Sequence, residues 1–234
     1  MQVHPKRGSD MSMQRTTAIV LRRTNYGEAD RVLQLLTPEG QRAVIAKGVR
    51  REKSRLAGAV ELFAISDVVI RQGRSELGVL TQARLTKYYQ TIVADYDRLQ
   101  AGYAAIQLVA QASRMLDEPA WYEVLRLVYE GLNQPSVPVV LTQAWLAIHY
   151  AALQGYELNL LRDVVGQPLQ PERRYMYDGS ERGLRLSDQG DITAAHIKLL
   201  RLLATRPPTV VAQVGGVLTI LPECWLVARQ HAGV

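Results

Sequence analysis

The chain has very few of the residues that hold structural metal ions or disulfides. Its 234 residues include one cysteine, Cys224, and four histidines, at positions 4, 149, 196 and 231. A single cysteine excludes an internal disulfide, and the histidines lack the short spacings of a zinc site. We therefore expect no bound metal and no other cofactor.

Long apolar runs are also missing. No stretch approaches the roughly 18 uninterrupted apolar residues of a membrane-spanning helix. The opening sequence MQVHPKRGSDMSM is polar and lacks the apolar segment of a secretory signal. We predict that residues 1–13 form a disordered tail and that the protein is cytoplasmic.

Basic residues are concentrated in the N-terminal third of the chain. Residues 14–90 contain 14 Lys or Arg against 7 Asp or Glu, a net charge of +7, whereas residues 91–234 contain 12 against 14, a net charge of −2. A basic surface attracts nucleic acid, anionic lipid or acidic protein. This asymmetry indicates a basic binding module joined to a nearly neutral body.

Short β-type segments dominate residues 14–88. Alternating or β-branched apolar residues, separated by turns rich in glycine, predict five antiparallel strands, at residues 16–21, 31–37, 41–48, 60–72 and 79–85. Five short strands in about 70 residues favour an OB-type Greek-key barrel over a sandwich.

Helical periodicity begins near residue 89 and continues to the end of the chain. In the first long helix the pattern predicts one buried face, made of Leu99, Tyr103, Ile106, Ala110 and Ser113, with Asp95 or Asp97 as the N-cap. The segment 157–190 is rich in turn formers and predicts a small hairpin insert. The fold class is therefore α+β, with a barrel followed by a helical domain at residues 89–234.

The third and fourth predicted strands are separated by a strongly basic segment, AKGVRREKSRLAGAVELF. Such cations bind phosphates by displacing condensed counterions, and arginine adds two-point hydrogen bonds. More cations lie at Arg22, Arg23, Arg71 and Arg74, although charges at strand ends are as often simply solvated. The candidate DNA-binding cations are Lys47, Arg50, Arg51, Lys53, Arg55, Arg71 and Arg74.

Aromatic residues that could stack on bases are few. The one phenylalanine, Phe63, lies in a predicted strand, which favours a core position. Tyr26 lies in the predicted turn NYGEAD, where an exposed ring could stack, so we include it in the candidate site. The shortage of aromatics favours salt-sensitive binding through the nucleic-acid backbone.

Three motifs in residues 15–85 resemble the N-terminal region of the RecO family of bacterial recombination mediators. They are TNYGEADRVLQLLTPEG, AKGVRREKSRLAGAVELF and GRSELGVLTQA, in that order. The resemblance implies an OB fold followed by a helical domain, without an enzymatic active site. It also implies binding of single- and double-stranded DNA, strand annealing, contacts with RecR and the acidic tail of SSB, help in loading RecA, and association with the nucleoid.

Many members of the RecO family hold zinc with two cysteine pairs in the region of residues 157–190. Here Arg162 and Val165 stand where the resemblance places the first pair, and the hairpin contains no cysteine. The resemblance therefore implies a variant that has lost zinc, with the insert held by packing through residues such as Leu169, Tyr175 and Leu184.

Two other classes of binding protein remain open from the residues alone. The basic barrel could be an adaptor for an acidic protein partner such as RecR, with little DNA affinity, or an RNA-binding OB module. An enzyme is not expected. Glu28 and Asp30 are paired carboxylates near a turn, but no nucleophile or metal motif accompanies them, so solvation or capping of an amide explains them better.

Overall fold

The computed structural model describes residues 12–73, 75–116 and 118–234. Within it the chain divides into two compact units, with the boundary between Tyr88 and Tyr89. The first strand begins at Ser12, so the predicted tail at residues 1–13 is two residues too long. The rest of that tail and Arg74 lie outside the described residues.

The N-terminal unit is a closed five-stranded barrel with strand order β1-β2-β3-β5-β4. This order confirms the OB-type barrel. Its strands are β1 (Ser12–Tyr26), β2 (Asp30–Thr37), β3 (Gly40–Ala46), β4 (Ala64–Gln72) and β5 (Gly78–Tyr88).

Strand β1 is much longer than the predicted 16–21 because it belongs to both halves of the barrel. Its first half pairs with β4 and its second half with β2, and a bulge between Val20 and Arg22 bends it from one to the other. The barrel closes through a short parallel contact in which Val44 faces Gly78 and Ile45 faces Val79. The expectation that all strands pair antiparallel was therefore wrong at this one seam.

The barrel interior is filled by alternate residues of all five strands and by two valines of the segment that connects β3 to β4. Because side chains alternate between faces with a period of two, the neighbours of these core residues point outward. The buried cluster comprises Ala18, Val20, Leu33, Leu35, Val44, Ala46, Val49, Val60, Val68, Ile70 and Leu80.

Residues 47–63 connect β3 to β4 and contain a short 3-10 helix at Ala57–Ala59. The fourth strand was predicted from residue 60, but it begins at Ala64. Phe63, which precedes it, has a positive φ of 58° and is only 2% exposed. Its predicted core position is confirmed.

The C-terminal unit is mostly helical. A two-stranded antiparallel hairpin interrupts the helices, where the turn-rich insert was predicted. Its elements are α1 (Gln90–Ala94), α2 (Tyr96–Met115), α3 (Ala120–Asn133), α4 (Val139–Leu153), β6 (Tyr175–Asp178), β7 (Gly183–Leu186), α5 (Ala194–Thr205), α6 (Pro208–Val211) and α7 (Val217–Ala232).

The buried face of α2 differs from the predicted one. Asp95 is the N-cap and accepts a hydrogen bond from the Arg98 amide, as predicted. Ile106 and Ser113 are buried, but Tyr103 is 40% exposed. In the predicted stripe Leu99 and Ala110 are only partly buried. The buried face of α2 instead includes Arg98, Ala101, Gly102, Ala105, Ile106, Val109, Ala112 and Ser113.

None of the described helices is long and apolar enough to cross a membrane.

Candidate nucleic-acid interface

The basic segment is docked on the turn between β1 and β2. The Gly48 amide donates to Asp30 Oδ1 at 2.7 Å, and the Arg50 amide donates to the Ala29 carbonyl at 2.9 Å. The Arg50 guanidinium also donates to the Gly27 carbonyl at 3.3 Å. The motifs TNYGEAD and AKGVRREK therefore form one surface, and Asp30 has the amide-capping role that the sequence suggested.

Two glycines make this docking possible. Gly27, in the turn, has φ of +56°, and Gly48, at the start of the basic segment, has φ of +64°. Both values lie in the left-handed region, which residues with a Cβ seldom adopt. Val49 follows directly and is 2% exposed, as part of the barrel core. The segment is thus fixed at its start by one buried side chain and by hydrogen bonds.

We call residues 47–55 the basic loop. All five of its cations are exposed to solvent: Lys47, Arg50, Arg51, Lys53 and Arg55. Arg50 differs from the others because its guanidinium is hydrogen-bonded to the turn. The other four form no ion pair with any described residue, so their charges are available to an anionic ligand.

An exterior row of residues crosses the barrel from Thr24 on β1 to Arg71 on β4. Thr24 faces Val32, Val32 faces Ile45, Ile45 faces Val79, and Val79 faces Arg71. Their neighbours along each strand, such as Val44 and Ile70, fill the core, so this row points outward. Arg71 is exposed and lies at the end of the row. Sequence analysis did not find this row, because its residues become neighbours only when β5 lies between β3 and β4 in the barrel.

The two arginines that follow the first predicted strand have different surroundings. Both lie within β1, which continues to Tyr26. Arg22 is exposed, whereas Arg23 is half-buried and forms an ion pair with Glu61. Arg22 can therefore extend the basic surface, while Arg23 is engaged within the barrel.

The Tyr26 ring is 59% exposed at the end of β1, directly before the turn that holds the basic loop. An exposed ring beside free cations is the arrangement that single-strand binders use for stacking a base. With Phe63 buried, Tyr26 is the aromatic residue of the candidate site that is open to a base.

The hairpin insert does not provide a zinc site. Residues 157–190 contain neither cysteine nor histidine, and no group of three metal-binding side chains occurs among the described residues. Cys224 lies elsewhere, in α7, where burial raises the pKa of its thiol to about 12. The residues present in the insert therefore do not fit the zinc that many members of the RecO family hold there.

The turn at residues 162–168 is held by its own polar groups. Asp163 Oδ1 accepts from the amides of Val165 at 3.1 Å and Gln167 at 2.8 Å, and Arg162 donates to the Gly166 carbonyl at 2.8 Å. Of the residues expected to pack this insert, Tyr175 and Leu184 are buried and Leu169 is half-buried. Side-chain hydrogen bonds therefore supplement the packing.

A second aspartate closes the hairpin turn. Asp178 Oδ1 accepts from the amides of Ser180 and Glu181, and Arg185 pairs with Asp178 Oδ2 at 2.6 Å. Hydrogen bonds from Ser180 and from the Glu181 amide, together with Arg185, hold the pKa of the Asp178 carboxyl well below its usual range. The carboxylate is therefore ionised and accepts these bonds throughout the physiological pH range.

The family model described as "Recombination protein O N terminal" matches residues 11–89, which span the whole barrel. Similar proteins include one called DNA repair protein RecO in Roseiflexus sp. (strain RS-1). It is 30% identical over 219 residues, which cover 89% of this chain and 74% of the relative.

Two further relatives carry the same name. The protein of Bifidobacterium longum (strain DJO10A) is 41% identical over 166 residues, 69% of each chain. That of Thermobifida fusca (strain YX) is 37% identical over 135 residues, 54% of this chain and 55% of the relative. Together with the OB-type barrel and the match across it, these similarities show that the chain belongs to the RecO family of DNA repair proteins.

Proposed function

We propose that this protein is a non-catalytic recombination mediator that binds DNA through the barrel and the basic loop and promotes strand annealing. The observation that carries the proposal is the docking of the basic loop on the β1–β2 turn. It holds Lys47, Arg51, Lys53 and Arg55 in solvent, without an ion-pair partner among the described residues, beside the exposed ring of Tyr26.

The chemistry of this surface suits a nucleic-acid backbone rather than a particular base sequence. Cations gain affinity by releasing counterions from phosphates, and this gain does not depend on sequence. Single and double strands should therefore both bind. Neutralising the phosphates of bound strands lowers their mutual repulsion, and this speeds the pairing of complementary strands.

The partners of the proposal are RecR, the acidic C-terminal tail of SSB and, indirectly, RecA, which the protein would help to load on SSB-coated strands. The helical unit has a largely apolar cavity of about 370 Å³ whose lining includes Leu108, Leu146, Trp225 and Arg229. An apolar cavity with a cation suits a tail that carries both acidic and apolar side chains. If Ala104→Asp, which adds a charge to the lining, leaves binding of an SSB tail peptide unchanged, the cavity is not that site.

We further propose that the protein works without zinc or another cofactor and has no enzymatic activity. The proposal that zinc is not needed is supported by Asp163 and Asp178, whose side chains close the two turns of the insert. The lack of enzymatic activity is supported by the amide-capping role of Asp30, one of the two carboxylates of the NYGEAD turn, and by the sequence, in which no nucleophile or metal motif accompanies that pair.

A salt titration of single-stranded DNA binding tests the loop. The variant Arg51→Gln/Lys53→Gln/Arg55→Gln should weaken binding and reduce the slope of log affinity against log salt by about 2, since each phosphate contact contributes about 0.7. The control Arg173→Gln/Lys198→Gln/Arg206→Gln removes the same charge from exposed positions of the helical unit. It should retain the wild-type slope.

Annealing of SSB-coated complementary strands provides the functional test. Wild type and control should accelerate it, and the loop variant should not. If the loop variant and the control have the same salt slope, the loop does not bind DNA and serves a protein partner instead. If wild type itself fails to accelerate annealing, the mediator function is wrong.

A further inference from the structure

The barrel has a second polar surface, on the exterior of β4, β5 and the first half of β1. An open groove of about 600 Å³ runs across it. The side chains that matter there are Arg15, Thr17, Asp67, Gln82 and Arg84. All five belong to the barrel unit, and Arg15, Gln82 and Arg84 are exposed in the full chain.

Strand register places these side chains in two rows on one face. In the first row Arg84 faces Asp67, which faces Thr17. In the second row Gln82 faces Val69, which faces Arg15. Because Val68 and Ile70 on β4 fill the core, residues 67, 69 and 71 of that strand point outward.

Arg71 extends this face by one position. It lies two residues beyond Val69 on β4 and is therefore the diagonal neighbour of Arg15 on β1, a relationship that brings long side chains within reach of one another. Arg71 thus borders both this groove and the exterior row that leads toward the basic loop.

The charges of the groove favour an anion. Arg15 and Arg71 form no ion pair with any described residue. Arg84 pairs with Asp67 at 2.6 Å, but its side chain is 81% exposed, and an exposed pair of this kind contributes little stability. The nearby carboxylate of Glu39 accepts from the Thr16 hydroxyl at 3.0 Å. Three arginines against Asp67 and the nearby Glu39 leave the face with a net charge of +1.

The shape of the groove favours an extended polyanion over a compact ligand. It is open and crosses three strands, which lie about 4.8 Å apart, so its cations are distributed over roughly 10 Å. Its neutral side chains are hydrogen-bonding groups, Thr17 and Gln82, and among its outward-facing side chains only Val69 is apolar. Arginine guanidinium groups are well suited to phosphate oxygens.

The groove is also distinct from the basic loop. The loop contacts the turn that begins at Gly27, whereas the groove lies at residues 15–17 of the same strand. Ten residues of extended strand separate them, which is about 33 Å along β1. Because the bulge between Val20 and Arg22 bends β1, the direct distance is shorter than this. An oligonucleotide of about four nucleotides, the smallest site size of one OB fold, is short enough to occupy only one of the two positions.

We propose that this groove is a second binding track for the nucleic-acid backbone, so that one barrel holds two single strands, one at the basic loop and one across β1, β4 and β5. The inference rests on the proposed function, because it assumes that the loop binds the first strand. In this proposal Arg15 and Arg84 bind the second nucleic-acid strand. The barrel then holds two nucleic-acid strands close together before they pair.

The test is the stoichiometry of binding at low salt, measured with a labelled oligothymidine of about four nucleotides, which is the lower limit of the site size of one OB fold and too short to bridge the two positions. Wild type should bind two strands per chain. The variant Arg15→Gln/Arg84→Gln should bind one, and Arg15→Lys/Arg84→Lys, which keeps the charge, should bind two. The control Lys198→Gln/Arg206→Gln should also bind two.

A second readout is energy transfer between two non-complementary oligonucleotides carrying a donor and an acceptor. Wild type should bring them together, and the groove variant should not, although it still binds one strand. If wild type binds a single strand, or if the groove variant still binds two, the second track is wrong and the proposed function stands. If wild type binds no strand at all, the proposed function itself fails.

Discussion

Asp30 Oδ1 accepts a hydrogen bond from the Gly48 amide at 2.7 Å, and this contact joins the two most distinctive motifs of the chain. Asp30 begins β2, and Gly48 is the second residue of the basic loop. An ionised carboxylate is a strong acceptor for a backbone amide. An acidic residue of this surface therefore holds in place the segment that presents the cations.

Replacing Asp30 by alanine should loosen the basic loop. A hydrogen bond to a charged group contributes about 1.5–3 kcal/mol, so we expect a loss of about 1–2 kcal/mol in the free energy of unfolding of this partly exposed site. Affinity for single-stranded DNA should fall several-fold, because the free loop must be ordered on binding. The slope of log affinity against log salt should not change, since every cation remains.

Asp30→Asn is the matched control for that experiment. Both substitutions remove the same negative charge, but asparagine keeps an oxygen that can accept from Gly48. The difference between the two variants therefore isolates the hydrogen bond from the change in net charge. Equal DNA affinities of the alanine and asparagine variants would show that docking of the loop has no role in binding.

Tyr26 should contribute to single-strand binding through its ring. Base–aromatic stacking is worth about 1–3 kcal/mol, so Tyr26→Leu should weaken binding to single-stranded DNA by roughly tenfold. Tyr26→Phe should bind like wild type. Duplex DNA, whose bases are already stacked, should bind both variants equally. Because the side chain is 59% exposed, neither variant should change the melting temperature. Equal single-strand affinity of the two variants would exclude stacking.

The hairpin insert should keep its stability in the presence of a strong chelator. Asp163, rather than a metal, closes its first turn, so a chelator should leave the melting temperature unchanged while Asp163→Ala lowers the free energy of unfolding by about 1 kcal/mol. Asp163→Asn, which retains an acceptor, should lose less. A drop in melting temperature on adding the chelator would show that a metal does stabilise the insert.

Local patterns predicted the barrel well, because each strand is an alternating or β-branched segment bounded by turn residues. What they could not supply was the pairing between strands distant in sequence. The full length of β1 depends on β4 and β2 binding to its two halves, and the Ile45–Val79 contact depends on barrel closure. For the same reason the basic loop could be recognised from the sequence as a local motif. The outward-facing rows that contain Arg71 and Arg15 could not, because they depend on pairing between distant strands.

Arg98 shows a similar limit in the helical unit. Periodicity assigned apolar Leu99 to the buried face of α2, yet Arg98 is the residue that is buried, at 9% exposure. Its guanidinium donates to four carbonyl groups at the end of α3 and in the following turn, those of Leu132, Gln134, Pro135 and Val137. A pattern that treats every arginine as a surface residue cannot find a cation whose partners lie more than 30 residues away.

Two histidines, the buried His231 and the partly buried His149, should make stability fall below about pH 6.5. Burial lowers the pKa of His231, which accepts from the Tyr177 hydroxyl at Nδ1 and donates from Nε2 to the Tyr156 carbonyl. Burial likewise lowers the pKa of His149, which stacks on Trp145. The unfolded chain therefore binds more protons than the folded chain below the ordinary histidine pKa of about 6.5.

By linkage, the free energy of unfolding should be constant above about pH 7 and decline as the pH falls toward about 5.5. Carboxylates such as Asp178, whose pKa is lowered, titrate below this range. Melting temperatures measured across it should show the decline in wild type and a smaller one in His231→Gln, which keeps a donor for Tyr156 but does not titrate. If both proteins lose the same number of degrees, His231 is not among the groups that bind the extra proton, because only the variant lacks an imidazole at that position.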